Sequence, residues 1–321
     1  MNNILIEKIY TFLKDEYEDD EDYEYASEFL ESEFIEEYID ILFEIHTEYS
    51  ASVVIRILVE LGIYSHKRFI YAFFENENGL NREDELSRAV YFTYLSVLLG
   101  TRSCKCLNGA IEIPMFNAGF TLSLNLICNS WQESSEIGDY LIDSLNAKNC
   151  IIRRGDATAL KSWFVIELYS IVSNNEFSKR RALYPKDFSP YDAVLKEWNT
   201  EELKKVDAFV TTLSDEHLET SLMSAIDYAE QEEMIAQLEI PAFQIFPYEI
   251  LAWLKLREKA GLKNPTNFTH PLMNTPITRM FLELKEPLAK PKELPYAKEL
   301  LEKLKEKCPN VEVPEWLDDV D

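Results

Sequence analysis

Apolar residues recur along this chain at spacings of three and four, the period of a helix with one buried face. Ile4, Ile9, Phe12 and Leu13 form a first short stripe. Tyr25, Phe29, Ile35, Tyr38, Ile39, Leu42, Phe43 and Ile45 form a second, with acids between them. Ser50 is placed to cap SVVIRILVELG, with Gly62 just past its end, and HKRFIYAFFEN follows before a turn at Gly79. Asn81, Glu83 and Asp84 open the next helix, where a capping side chain and first-turn acids suit the helix dipole. That helix runs through LSRAVYFTYLSVLLG to Gly100. Further helices are predicted over FTLSLNLICNSW, EIGDYLIDSL, ATALKSWFVIELYSIVS behind Asp156, and residues 191–198. The rest are TEELKKVDAFVTTL behind Thr200, SDEHLETSLMSAIDYAEQ behind Ser214, PYEILAWLKLREKAG between Pro247 and Gly261, and YAKELLEKLKEK after Pro295.

Stretches that could form strands are few and short, namely IEIPMF and FQIF. The expected class is therefore all-α, an array of about a dozen mostly antiparallel helices. CKCLNGAIEIPMFNAG, residues 104–119, reads as the longest non-helical connection. A second break, NNEFSKRRALYPKDFSP at 174–190, suggests two packed helical halves: an acidic N-terminal region over 1–175 and a C-terminal region over 190–321. One continuous domain is the alternative. The tail EVPEWLDDVD is expected to dock through Trp316 and Leu317. No fixed-period helical repeat is present.

Composition sharpens the class. Of 321 residues, 46% are hydrophobic and 12% aromatic, while only eight are glycine. That balance favours packed helices over turn-rich sheets and argues against disorder. Charge then narrows the partner. The formal net charge is −26, a field that repels nucleic acid and anionic lipid and attracts basic protein surfaces. Residues 1–50 hold 17 acids and two bases, so more than half of the excess lies in under a sixth of the chain.

Within that region the run DEYEDDEDYEYASE, residues 15–28, packs nine carboxylates and three tyrosines into fourteen positions. Glu18, Asp19, Asp20, Glu21, Asp22, Tyr23, Glu24, Tyr25 and Glu28 are the candidate partner-binding residues. Tyrosine gives large contact area at low entropic cost, and carboxylates with aromatic faces complement Arg and Lys. The competing reading is a solvated helix face with the tyrosines turned to the core.

Candidate chemistry is sparse. His46, His66, His217 and His270 fall on different predicted elements and read as isolated surface or helix-end residues. Phosphate loops, nucleophile elbows and HExxH are absent, and no cofactor or metal is expected. The five cysteines, Cys104, Cys106, Cys128, Cys150 and Cys308, form neither a CxxC pair nor a zinc set and read as free thiols. No 18-residue uncharged apolar stretch or signal peptide is seen, so a cytoplasmic protein that neither spans membranes nor binds nucleic acid is expected. These features point to binding rather than catalysis.

One stretch can be placed in a family. FPYEILAWLKLREKAGLKNPTNFTHPLMNTP, residues 246–276, joins an aromatic helix, a closing glycine and HPLMNTP. It resembles the C-terminal region of bacterial polymorphic-toxin immunity proteins, and among them the immunity proteins of PoNe-type DNase toxins, with the likeness covering roughly 240–290. The resemblance implies an all-helical, acidic, non-enzymatic protein that neutralises a basic nuclease effector by stoichiometric binding. Read locally, His270, Pro271, Asn274 and Pro276 make a structural corner, in which the prolines stop helix formation and His270 and Asn274 bond nearby backbone. The alternative function is a helical scaffold or adaptor whose acidity serves solubility.

Overall fold

The computed structural model describes residues 6, 7, 11, 50–74, 81–104, 113–146, 152–153, 159–175, 188–229 and 242–320. The acidic run 15–28, with Glu18, Asp19, Asp20, Glu21, Asp22, Tyr23, Glu24, Tyr25 and Glu28, lies outside the described residues, as does His46. The described chain is all-α: ten α-helices, two 3₁₀ turns and two strands of two residues each. By contacts it divides into two compact units, one of Met1–Leu13 and Pro114–Pro287, the other of Lys14–Ile113 and Leu288–Asp321. These units do not coincide with the halves 1–175 and 190–321. Phe164 and Tyr191, on either side of the break at 174–190, lie 4.8 Å apart in one core.

In the second unit, helix α1 (Ser50–Tyr71) lies antiparallel along α2 (Arg82–Cys104). The register is visible at two glycines: a Cβ on Gly62 would sit 2.6 Å from Thr93 Cγ2, and one on Gly100 would sit 3.5 Å from Ile55. Gly62 was expected to end a helix, yet α1 runs through it as one 22-residue element. Its missing side chain serves close helix packing instead of a left-handed cap. Asn81 does cap α2, its Oδ1 accepting from the Glu83 amide at 3.1 Å.

Arg68 and Glu85 form a buried ion pair at 3.2 Å, which Arg88 joins at 3.3 Å. Chain from 288 onward returns to these helices, where α10 (Ala297–Lys307) packs on α1. Ser87 and Arg102 donate to the carbonyls of Ala289 and Glu312, each at 2.7 Å. Trp316 meets Tyr91 edge-on at 4.9 Å, with Leu317 and Val320 buried nearby in sequence. Cys308, just past α10, is buried.

The first unit is built around α3 (Met115–Ile127), in which eleven of thirteen residues are buried. A helix apolar on all sides belongs at the centre of a helical core. Around it stand α4 (Trp131–Asn146), α5 (Ala159–Ser173) and α8 (Tyr248–Lys259). The connection expected over 104–119 is shorter than its composition suggested, because Pro114 precedes a helix that already includes Asn117 and Gly119. Glycine at 119 lets α3 approach α5 closely, since a Cβ there would fall 2.2 Å from Ser162 Cβ and 2.6 Å from its Cα. Gly138 on α4 makes the same concession to the Tyr169 ring, 2.4 Å away. Cys128 ends α3, buried and free.

The remaining elements are α6 (Tyr191–Lys196), α7 (Leu203–Ala229), a 3₁₀ turn (Pro271–Asn274) and α9 (Pro276–Glu283). Two helices expected around Ser214 are one, α7, because neither glycine nor proline interrupts 203–229. Of the expected strands, IEIPMF contributes Ile113–Pro114 among the described residues, while Phe243 and Gln244 of FQIF are helical.

Candidate functional site

Among the described residues, a cluster of buried ionisable groups lies inside the first unit, and no short motif announces it. α5 is apolar on nearly every side, and Lys161 is among its few charged residues. α8 likewise buries Glu249, Lys255 and Arg257 among its aromatics. α7 adds His217, and α6 adds Tyr191.

His217 and Glu249 both have no solvent exposure. His217 Nδ1 lies 2.8 Å from Glu249 Oε1 and 3.0 Å from Oε2, and Nε2 lies 3.0 Å from the Phe243 carbonyl. The Lys161 ammonium donates to the His217 carbonyl at 3.2 Å. It also stands 6.0 Å from the Tyr248 ring centre, within cation–π range. The Tyr191 hydroxyl is buried outside normal hydrogen-bond geometry, with Glu249 near enough to act on it electrostatically.

Each group's protonation follows from these neighbours. Burial drives the Glu249 carboxyl upward, but the charges of His217 and Lys161 outweigh it and hold its pKa below the ordinary value. Burial lowers the Lys161 pKa against the pull of Glu249 and Glu216. Burial, then the Glu249 charge, raises Tyr191 well above the tyrosine range. Burial, aided by Lys161, lowers the His217 pKa below its ordinary value, against the upward pull of Glu249 and the Phe243 carbonyl. Chemically, the arrangement joins α5, α7 and α8 through charge-assisted hydrogen bonds in a site shielded from water.

The cluster is continuous with an aromatic core. Phe243 meets Phe120 edge-on at 5.0 Å and Phe116 at 5.4 Å, and Tyr248 meets Phe120 at 5.2 Å. The histidines expected at the surface or at helix ends are not exposed: His66, His217 and His270 are all buried. Burial in helical cores is a tertiary outcome that isolated spacing does not report. A lone charge on an otherwise apolar helix, such as Lys161 or Glu249, is the signal that would have found the cluster.

The HPLMNTP segment folds as a compact corner on α7. His270 Nδ1 accepts from the Leu272 amide at 3.2 Å, and its Nε2 lies 3.5 Å from Asp215. Burial lowers the His270 pKa, opposed by Asp215. Asn274 Nδ2 donates to the carbonyls of Phe268 and His270 at 2.9 and 3.3 Å. Leu272 and Met273 are fully buried. Pro271 and Pro276 do not stop helices here. Each occupies the first turn of a new element, where a missing N–H costs nothing. Thr275 caps α9 by accepting from the Thr278 amide at 3.3 Å, and Asp207 ties the corner down by accepting from Thr269 N and Oγ1 at 2.8 and 2.6 Å.

Among the described residues, no three His, Cys, Asp or Glu side chains converge as metal ligands. No helix among them is long and apolar enough to cross a membrane. Comparison with protein-family models, curated proteins and solved structures finds no match to this chain.

Proposed function

We propose that this chain is an immunity protein that neutralises a cognate antibacterial toxin in the cytoplasm by direct stoichiometric binding. The toxin is a basic nuclease effector. The observation that carries this reading is the asymmetry of charge: 17 acids against two bases in residues 1–50, within a chain of net charge −26. A nuclease presents a basic cleft for phosphates, and a carboxylate-rich surface with interleaved tyrosines can occupy such a cleft in place of nucleic acid. The all-helical scaffold and the HPLMNTP corner packed on α7 are in keeping with the sequence resemblance over 240–290.

The test is protection. The chain is co-expressed with a basic nuclease toxin domain of the PoNe type, and growth, DNA integrity and complex formation are measured. Restored growth with a one-to-one complex is the expected result. Unrelieved DNA degradation with no complex overturns the reading.

A further inference from the structure

His270 stands between a donor and an acceptor. Its Nδ1 lies 3.2 Å from the Leu272 amide, which can only donate, and its Nε2 lies 3.5 Å from the Asp215 carboxylate, which accepts. Both neighbours therefore select the same neutral tautomer, bare at Nδ1 and protonated at Nε2. The bond at Nδ1 is the cap of the 3₁₀ turn Pro271–Asn274. The carbonyl of the same Leu272 accepts from the Thr275 and Thr278 hydroxyls at 3.2 and 3.0 Å. Leu272 is thus clamped at both of its backbone groups, and its side chain and that of Met273 have no solvent exposure.

We propose that the HPLMNTP corner is an acid-released latch, in which a proton arriving at His270 Nδ1 breaks the cap on Leu272 and opens the turn that seats Leu272 and Met273. The proposal is independent of the immunity reading, since it involves only the corner and the helices packed against it.

Opening the latch moves one proton. It comes from solvent and takes the Nδ1 lone pair, so that an N–H then faces the Leu272 N–H. Two donors in contact repel, and a buried amide is left without its acceptor. The change reaches α9, because Thr275, which holds the Leu272 carbonyl, also caps that helix.

The charges around the ring set the direction of the response. On α7, Asp215 favours the protonated ring, but its side chain is 55% exposed and water weakens its pull. Burial opposes protonation, aided by His217 on the same helix, and the balance lowers the His270 pKa. His217 has its own carboxylate partner in Glu249 of α8. Asp207 on α7 is taken up by Thr269, and Arg279 on α9 by the Thr266 carbonyl and the Asn274 side chain. The closed corner therefore keeps the ring neutral, while an opened corner returns it to its ordinary 6.5. The latch is fully closed above that pH. Below it, each unit favours opening by up to about tenfold, until the closed form itself takes up the proton.

The experiment is amide hydrogen exchange of the full-length protein labelled with 15N-leucine, recorded from pH 7.5 to 5 and corrected for the intrinsic pH dependence of exchange. Protection of the Leu272 amide is expected to hold steady down to about pH 6.5 and then to fall at least tenfold by pH 5. The Leu254 amide, buried within α8, should stay steady over the same range. Ring 15N shifts at pH 7.5 should show His270 bare at Nδ1 and protonated at Nε2. His270→Asn supplies a capping oxygen that does not titrate, so the fall at Leu272 should vanish in that variant. Steady Leu272 protection in the native protein overturns the proposal, as does an equal fall at Leu254, which would report opening of the core as a whole. A protonated Nδ1 at pH 7.5, or a fall that survives in His270→Asn, does the same. The native measurements decide the matter on their own should the variant not fold.

Discussion

The guanidinium of Arg257 donates to the carbonyl of Trp198 at 2.6 Å, and its remaining hydrogen bonds also go to uncharged oxygens. Thr200 and Lys263 accept through their carbonyls and Asn264 through its side chain, each at 2.9 Å. A fully buried arginine is used here as a fork that gathers loop carbonyls before α7 and after α8. An ammonium cannot reproduce that fork. Arg257→Lys is expected to lower the unfolding free energy by about 3 kcal/mol, because carbonyls left without donors in the interior are costly. Urea denaturation monitored by tryptophan fluorescence measures it, and a change under about 0.5 kcal/mol would contradict the assignment.

The second unit should be acid-labile because of His66. Burial, aided by Lys67, lowers its pKa to about 3, against an ordinary 6.5. The folded state therefore holds His66 neutral, while the unfolded chain takes up a proton as pH falls below 6.5. The stability from this group is fully present above 6.5 and is lost between 6.5 and about 3, at up to about 1.4 kcal/mol per pH unit. His66→Phe keeps an aromatic ring without the titration. Its unfolding midpoint should show a flatter acid limb than the native protein over that interval.

Gly119 and Gly261 should respond differently to alanine. At Gly261 the backbone has φ +80° with nothing within 4 Å, so the cost is the left-handed conformation alone, about 1 kcal/mol. At Gly119 the new methyl meets the Ser162 backbone as well as its side chain, so α3 and α5 must separate, at roughly 3 kcal/mol. Ser162→Gly should recover part of the loss in Gly119→Ala and none in Gly261→Ala, as a double-mutant cycle can establish.

Neutralising Glu18, Asp19, Asp20, Glu21, Asp22 and Glu24 to their amides should leave the thermal midpoint within a few degrees of native while slowing toxin association at least tenfold at low salt. The native association rate should fall as salt rises, because exposed charges are screened beyond about 10 Å at 0.1 M. Stopped-flow binding at two ionic strengths separates the outcomes. Equal rates in both proteins identify the run as a solvated face.

Local rules carried the fold class. The apolar period of three and four, the Asn81 cap and the scarcity of β-branched alternation all describe interactions within one turn or one element, and they survive folding intact. What escaped them was decided between elements. Gly62 satisfies the local grammar of a helix end, but its role is set by Thr93, 31 residues away in the facing helix. Ser214 looks like a cap in isolation and is a buried position within α7. Lys161, His217 and Glu249 are separated by 56 and 32 residues, and only helix packing brings them together. The corner from His270 to Pro276 was legible as a corner. The helix-starting role of its prolines depended on which side the chain turned.

Two thiols buried among the described residues give this protein a built-in pair of clocks. Cys128 belongs to one compact unit and Cys308 to the other. Burial pushes the Cys128 thiol up to about 12, so at neutral pH only on the order of one in 10⁵ would be ionised and open to alkylation. Modification of either sulfur then awaits the opening of its own surroundings. Isotope-coded alkylation followed by peptide mass spectrometry can time the two units separately, in one tube and without a mutation.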